Sequence, residues 1–162
     1  MGVLRLGAPD NENGTYHLWT KWQLKKAIKQ ISLRNKTAVD LGCGIGRIGP
    51  ILKGAGVVNL TGIDVSIRMA QSTQNDAYNN IVVGDLLELP FSDSAFDIVV
   101  CLGVLEHIPV SKFTRCLDEI MRIVGSGGFL VIETNYGVHN RWWPLPSNPF
   151  RRGVQLENGY VG

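Results

Sequence analysis

Several kinds of protein are excluded by what this chain does not contain. It has only three cysteines, Cys43, Cys101 and Cys116, an odd number at wide spacing with no CxxC and no Cys/His pattern. That excludes a disulfide framework and a structural metal site, so no metal is expected, and a reduced, cytoplasmic setting follows most simply. No window approaches the run of about 20 apolar residues that crosses a bilayer, and Met1 to Gly14 has no basic stretch leading into an apolar core, as an export signal would. An excess of one charge is missing too. Sixteen Lys and Arg stand against 14 Asp and Glu, scattered along the chain for a net +2, which leaves no basic field to hold a nucleic-acid backbone. With 162 residues there is room for one domain with a real core and none for a second.

What the chain does have is glycine in one telling place. Thr37 to Leu41 is a short apolar strand that runs straight into Gly42-Cys43-Gly44-Ile45-Gly46. Glycines there allow a tight strand-to-helix bend and let a ligand lie against the main chain. A helix starting near Ile45 would aim free N–H groups at the same point. Two registers are open: Gly44-Ile45-Gly46-Arg47-Ile48-Gly49 satisfies the dinucleotide fingerprint G-x-G-x-x-G, and Asp40-Leu41-Gly42-Cys43-Gly44-Ile45-Gly46 reads D-x-G-x-G-x-G.

Around this turn the pattern alternates. Residues 1–14, rich in Gly, Pro, Asp and Asn, predict an irregular arm. Residues 15–34 predict an amphipathic helix, with Leu24, Ala27, Ile28 and Ile31 on one face, and Tyr16, Trp19 and Trp22 either covering a sheet edge or forming a lid. A first helix is expected over about Arg47 to Gly54, with Pro50 harmless in its opening turn. Strands follow at Asn59 to Asp64, Asn80 to Asp85, Ala95 to Gly103 and Phe129 to Glu133. Helices are expected over about Ser66 to Gln74 and Ser111 to Val124, the second stopped by Gly125-Ser126-Gly127-Gly128. Such alternation predicts a parallel α/β sheet with its ligand above the C-terminal strand ends. Asp64 lies 18 residues after Gly46, one βαβ return, where an acid can accept from both ribose hydroxyls or simply favour a helix N-terminus. Asp85 repeats the logic, either as a ligand group or as the acid of an Asx turn after Gly84.

Four segments in order carry a family resemblance: Asp40 to Gly46, the Gly84-Asp85-Leu86-Leu87-Glu88-Leu89-Pro90-Phe91 run, Phe96-Asp97-Ile98-Val99, and Val104-Leu105-Glu106-His107-Ile108. Together they resemble the class I S-adenosylmethionine-dependent methyltransferases, over about Thr37 to Glu133, with a core at residues 37–134. The resemblance implies a Rossmann-like, mostly parallel sheet with helices on both faces and S-adenosyl-L-methionine as cofactor. It implies that Gly42, Cys43, Gly44 and Gly46 hold the methionine part and Asp40 its ammonium, that Asp64 takes the ribose and Asp85 the adenine amino group, with Leu86 and Val65 closing on the two faces of the adenine ring, and that Cys101, Leu102 and Gly103 stand beside the sulfur. The expected reaction is in-line transfer of a methyl group to a small-molecule or lipid-like acceptor. His107 is the candidate base, or with Glu106 a wall of the site, because imidazole titrates near neutrality. No Asn/Asp-Pro-Pro-aromatic motif points to methylation of DNA bases. Two alternatives stay open: a catalytically silent or incomplete methyltransferase-like binding domain, and an NAD(P)-binding oxidoreductase, which would lack a Tyr-x-x-x-Lys pair. Residues 135–162 read as an irregular tail bearing Trp142, Trp143 and Phe150, without the helix and antiparallel strand pair with which the family usually continues. Either the sheet is shortened, leaving an open edge that could pair with another chain, or this is a piece of a longer protein.

Overall fold

The computed structural model describes residues 2–6, 16–73 and 76–133. In chain order the elements are β1 (Gly2–Leu6), α1 (Tyr16–Ile28), β2 (Thr37–Leu41), α2 (Gly49–Gly54), β3 (Asn59–Asp64), α3 (Ile67–Ser72), β4 (Asn80–Val83), β5 (Phe96–Leu102), α4 (Phe113–Ile123) and β6 (Val124–Glu133), with single 3-10 turns at Leu105–His107 and Val110–Lys112. Six strands form one sheet in the order β1-β6-β5-β2-β3-β4, and every described pair is parallel. Parallel neighbours need crossovers that return over a face, and the chain turns one way from β2 through β3 to β4 and the other way through β5 and β6. The order therefore reverses between β2 and β5, and a crevice is expected there, outside the strand ends.

Alternation along the strands sorts the core into two layers. Val39, Leu41, Ile63, Val99, Cys101, Leu130 and Ile132 face α4, which answers with Phe113, Cys116, Leu117, Ile120 and Ile123. Ala38, Leu60, Ile98, Val100 and Val131 point the other way, toward Leu24, Ala27 and Ile28 of α1 and Leu52 of α2. Each fully buried Leu or Ile contributes roughly 1.5–3 kcal/mol of transfer free energy, so the sheet is held from both sides.

Four expectations change. Residues 2–6 are not an irregular arm but a strand, β1, lying parallel to β6 from Gly2 opposite Phe129 to Leu6 opposite Glu133. The edge of β6 expected to stand open is thereby paired. The N-terminal helix ends at Ile28 instead of running on toward residue 34. Gly125 to Gly128 does not separate helix from strand; it lies inside β6 as an irregularity, with Phe96 opposite Val124 but Ile98 opposite Phe129. Glycine is required there, since a Cβ on Gly128 would come within 2.7 Å of the Asp97 carbonyl oxygen. Finally, α2 begins at Gly49, not near Ile45, and residues 45–48 are turn. The tail at 135–162, the strand pair expected to be missing, and the side chains of Tyr16 and Trp19 lie outside the described residues. Trp22 is more than half exposed, with the Lys26 ammonium 5.3 Å from its ring centre, and covers no ligand cavity at the strand ends.

Candidate functional site

At the switch point, the C-terminal ends of β2 and β5 and the glycine turn enclose a cavity of about 360 Å³. Lys21, Asp40, Gly42, Cys43, Gly44, Ile45, Arg47, Ile48, Met69, Leu102 and Gly103 line it. A larger groove of about 830 Å³ lies between α1 and α2, lined by Trp22, three lysines and the end of α2. It shares no residue with the first and does not reach the strand ends, where ligands of open α/β sheets bind.

The turn is built for close approach. Gly42, Gly44 and Gly46 have φ of 69°, 54° and 79°, the left-handed region that side chains disfavour. Gly42 and Cys43 both donate their N–H to the carbonyl of Ile63, at 2.8 and 3.0 Å. A Cβ on Gly42 would come within 2.4 Å of Val104, so that valine, from the segment after β5, closes on the turn; a Cβ on Gly44 would meet nothing within 4 Å. Gly44 is thus the point where the main chain faces open space.

Asp64, at the tip of β3, braces this turn. Its Oδ2 accepts from the Gly44 N–H at 2.9 Å and its Oδ1 from the Ser66 N–H at 2.8 Å. Thr73 holds the other side, its hydroxyl donating to the Gly44 carbonyl at 2.7 Å. Ser66 caps α3 by accepting from Met69 N–H, which sets Met69 on the cavity rim.

Asp40 is only 3% exposed yet lines the cavity. Its Oδ2 accepts from the Tyr78 hydroxyl at 2.5 Å. Burial pushes the Asp40 carboxyl up to about 7; the Tyr78 hydrogen bond opposes the rise and the charge of Asp64 adds to it. The Cys43 thiol is pushed up to about 12, chiefly by burial and then by Asp40 and Asp64, so it is a neutral wall and not a nucleophile.

Of the residues singled out from sequence, the fold brings Asp40, Gly42, Cys43, Gly44, Leu102 and Gly103 to one cavity, with Gly46 shaping the turn and Asp64 bonded to it. Others stand apart. Cys101 is fully buried inside β5, opposite Leu41 and Ile132, and is floor rather than lining. Leu86 is buried in the α4-side core, where its side chain packs. Val65 is 69% exposed beside Asp64. Asp85 is exposed and its Oδ1 accepts from the Leu87 N–H at 2.9 Å, the Asx turn weighed from sequence; the Gly84 N–H, donating to the Asp64 carbonyl at 3.0 Å, keeps it beside β3. His107 is exposed on the turn after β5 and does not line the cavity.

Lys21, Arg47, Ile48 and Met69 line the cavity without having been singled out, and Tyr78 reaches it from outside both glycine registers. A signal for Tyr78 existed in Gly49 and Gly62. A Cβ on Gly49 would lie 2.4 Å from the Tyr78 ring, and one on Gly62 within 3.1 Å of it, so both glycines make room for that ring.

The Leu89-Pro90-Phe91 end of the second motif has a mechanical role. Leu89 N–H donates to Glu119 Oε2 at 2.8 Å, and Arg122 donates to the carbonyls of Leu89 and Phe91 at 3.0 and 2.7 Å. Arg122 also pairs with Glu119 and Asp93, so α4 fastens the loop that carries Asp85.

Residues 39–132 match the family described as "Methyltransferase domain". Among curated proteins, the ubiquinone biosynthesis O-methyltransferase of Coxiella burnetii is 30% identical over 123 residues, covering 73% of this chain and 51% of that protein. The 2-methyl-6-phytyl-1,4-hydroquinone methyltransferase of Synechocystis is 35% identical over 101 residues, covering 59% and 31%. This chain therefore spans between about a third and about a half of those relatives' length. A crystal structure of a protein from Pyrococcus horikoshii OT3 superposes with a TM-score of 0.65 over 78% of this chain and 62% of that one, at 24% identity, a likeness of fold.

Proposed function

The chain belongs to the methyltransferase domain family, and from that premise we propose that its cavity binds S-adenosyl-L-methionine and directs the methyl group to a small-molecule or lipid-like acceptor. One observation carries the reading: a glycine turn open at Gly44 stands beside a buried carboxylate, Asp40, at the point where the strand order reverses. The residues fit the group. A side chain at Gly44 would enter the space that a ligand needs, and Asp40 suits a cationic ammonium as no neutral neighbour could.

When bound, S-adenosylmethionine supplies a methyl already activated on a sulfonium. The chain's work is then to hold partners in line and keep water out, and positioning of this kind can lower a barrier by about 7–11 kcal/mol. Asp40 would hold the ammonium, Asp64, whose orientation two backbone N–H groups set, would take the ribose hydroxyls, and Asp85, exposed on the loop after β4, would be the group for the adenine edge. Leu102 and Gly103 face the cavity from β5, where a reacting atom would pass. Glu106 and His107 lie on the turn after β5, outside the cavity lining, and His107, exposed there, would be the group to take a proton from an acceptor hydroxyl. The acceptor class follows the Coxiella and Synechocystis relatives, a ubiquinone biosynthesis O-methyltransferase and a hydroquinone methyltransferase.

Calorimetric titration with S-adenosylhomocysteine and with NAD tests the cofactor. Heat from S-adenosylhomocysteine alone is expected, and heat from NAD alone would sink the reading. Label transfer from a methyl-labelled cofactor to quinol-type acceptors tests the reaction; cofactor binding without transfer would instead mark a binding domain.

A further inference from the structure

We propose that Tyr78 is a positioning residue of this cavity: its hydroxyl donates to Asp40 and keeps that carboxylate ionised and directed at the cationic end of the bound ligand. The inference rests on the cofactor reading above, and it concerns a residue that lies in neither glycine register and in none of the motif segments.

The geometry leaves Tyr78 little other placement. It sits just before β4, and its ring occupies the slot left by the absent side chains of Gly49 at the start of α2 and Gly62 in the middle of β3. Gly62 lies directly opposite Asp40 in the β2–β3 ladder, so a ring seated over it brings its hydroxyl oxygen to Asp40, where the Gly49 main chain also bonds to it. A Cβ on Gly49 would stand 2.4 Å from the ring and force a shift, while one on Gly62 would meet Ile81 at 2.8 Å and Cys43 at 2.9 Å and crowd the ring at 3.1 Å.

Asp40 needs such a partner. It is buried, and the charge of Asp64 at the tip of β3 opposes its own, while the neutral thiols of Cys43 on the glycine turn and Cys101 on β5 supply no compensating charge. The cations that share its cavity, Lys21 from α1 and Arg47 after the turn, make no hydrogen bond with it that the structure records. Tyr78, from the loop before β4, supplies the donor. A hydrogen bond to the charged form of a buried acid favours that form, and the tyrosine hydroxyl, itself held protonated by burial and by Asp40, does so without adding charge. One oxygen is committed to Tyr78, and a donor entering the cavity meets the other.

The test removes one atom. Tyr78→Phe keeps the ring in its slot and deletes the donor. With carbon-13-labelled aspartate, the Asp40 carboxyl of the free protein should titrate near 7 in the wild type. In Tyr78→Phe the midpoint should move upward by about one pH unit. Binding of S-adenosylhomocysteine should follow: the variant binds roughly threefold to tenfold more weakly at pH 7, and the gap narrows by pH 8.5. Asp40→Asn should lose the pH step in binding altogether. In the wild type alone, the Tyr78 ring carbon bearing the hydroxyl should shift with the same midpoint as Asp40, a readout that needs no variant to fold. An Asp40 midpoint unchanged in Tyr78→Phe, a step that survives in Asp40→Asn, or a Tyr78 signal blind to Asp40 each overturns the proposal. Absence of S-adenosylhomocysteine binding to the wild type at every pH would overturn the cofactor reading instead, while the Asp40 midpoint still reports on Tyr78.

Discussion

At the residue scale, single acids have two duties that pull against each other. The folded pKa of Asp40 lies above its value in the unfolded chain, so the folded state prefers it protonated, and its contribution to stability, complete below about 4, is lost as pH rises through about 7. Asp40→Asn should therefore stabilise the protein above pH 7, by something on the order of a few kcal/mol, with the difference closing near pH 4. Denaturant melts at pH 4, 6 and 8 check the sign. The same substitution should weaken S-adenosylhomocysteine binding, the expected exchange of stability for function at a ligand site. Asp64→Ala should cost binding about tenfold or more and His107→Ala less than about threefold, because Asp64 braces the turn and is the group proposed for the ribose. Equal, small losses in titration calorimetry would move the ribose elsewhere.

At the scale of elements, the motifs divide into parts that meet ligand and parts that fasten strands. Asp97, in the Phe-Asp pair that opens β5, ties the foot of that strand to β2. Its Oδ2 accepts from the Thr37 N–H at 2.9 Å and from the Thr37 hydroxyl at 3.0 Å, and Lys36 reaches Oδ1 at 3.1 Å. The Thr37 N–H above all, with Lys36 helping, holds this carboxyl below its usual range. A depressed folded pKa means stability that is present above about 4 and lost as pH falls through the folded value. Asp97→Asn should thus lower Tm at pH 7, and its melts should merge with the wild type's on acidification toward pH 3. Arg122→Lys should lower Tm more than Arg115→Lys, since only the first cation bridges Glu119, Asp93 and two loop carbonyls, while Arg115 is two-thirds exposed and pairs with Glu88 at 4.0 Å. The strands were legible because short continuous apolar runs bounded by turn residues are what a parallel strand buried on both faces needs. The glycines of β6 were not, because a run that reads as a helix stop is also what an irregular strand needs where backbones crowd.

At the scale of the whole molecule, β1 decides where the sheet ends. Pairing with β6 satisfies a row of backbone groups that would otherwise template another chain. Deleting residues 1–6 should lower Tm and raise the apparent mass in light scattering as protein concentration rises. An unchanged melt with an unchanged mass would mean that the pairing contributes nothing. Sequence by itself determined the layered α/β class, the positions along the chain of five of the six described strands, the glycine turn and the acids at Asp40, Asp64 and Asp85, since each depends on local periodicity, backbone angles or spacing along one βαβ return. Only the tertiary structure decided that residues 2–6 join the sheet, that Leu86 and Cys101 face the core, and that Tyr78 reaches Asp40 through room left by Gly49 and Gly62. Those contacts run from Tyr78 with Gly62, 16 positions apart, to Gly2 with Phe129, 127 apart, and no local pattern encodes which side chain will occupy a space that another residue leaves empty.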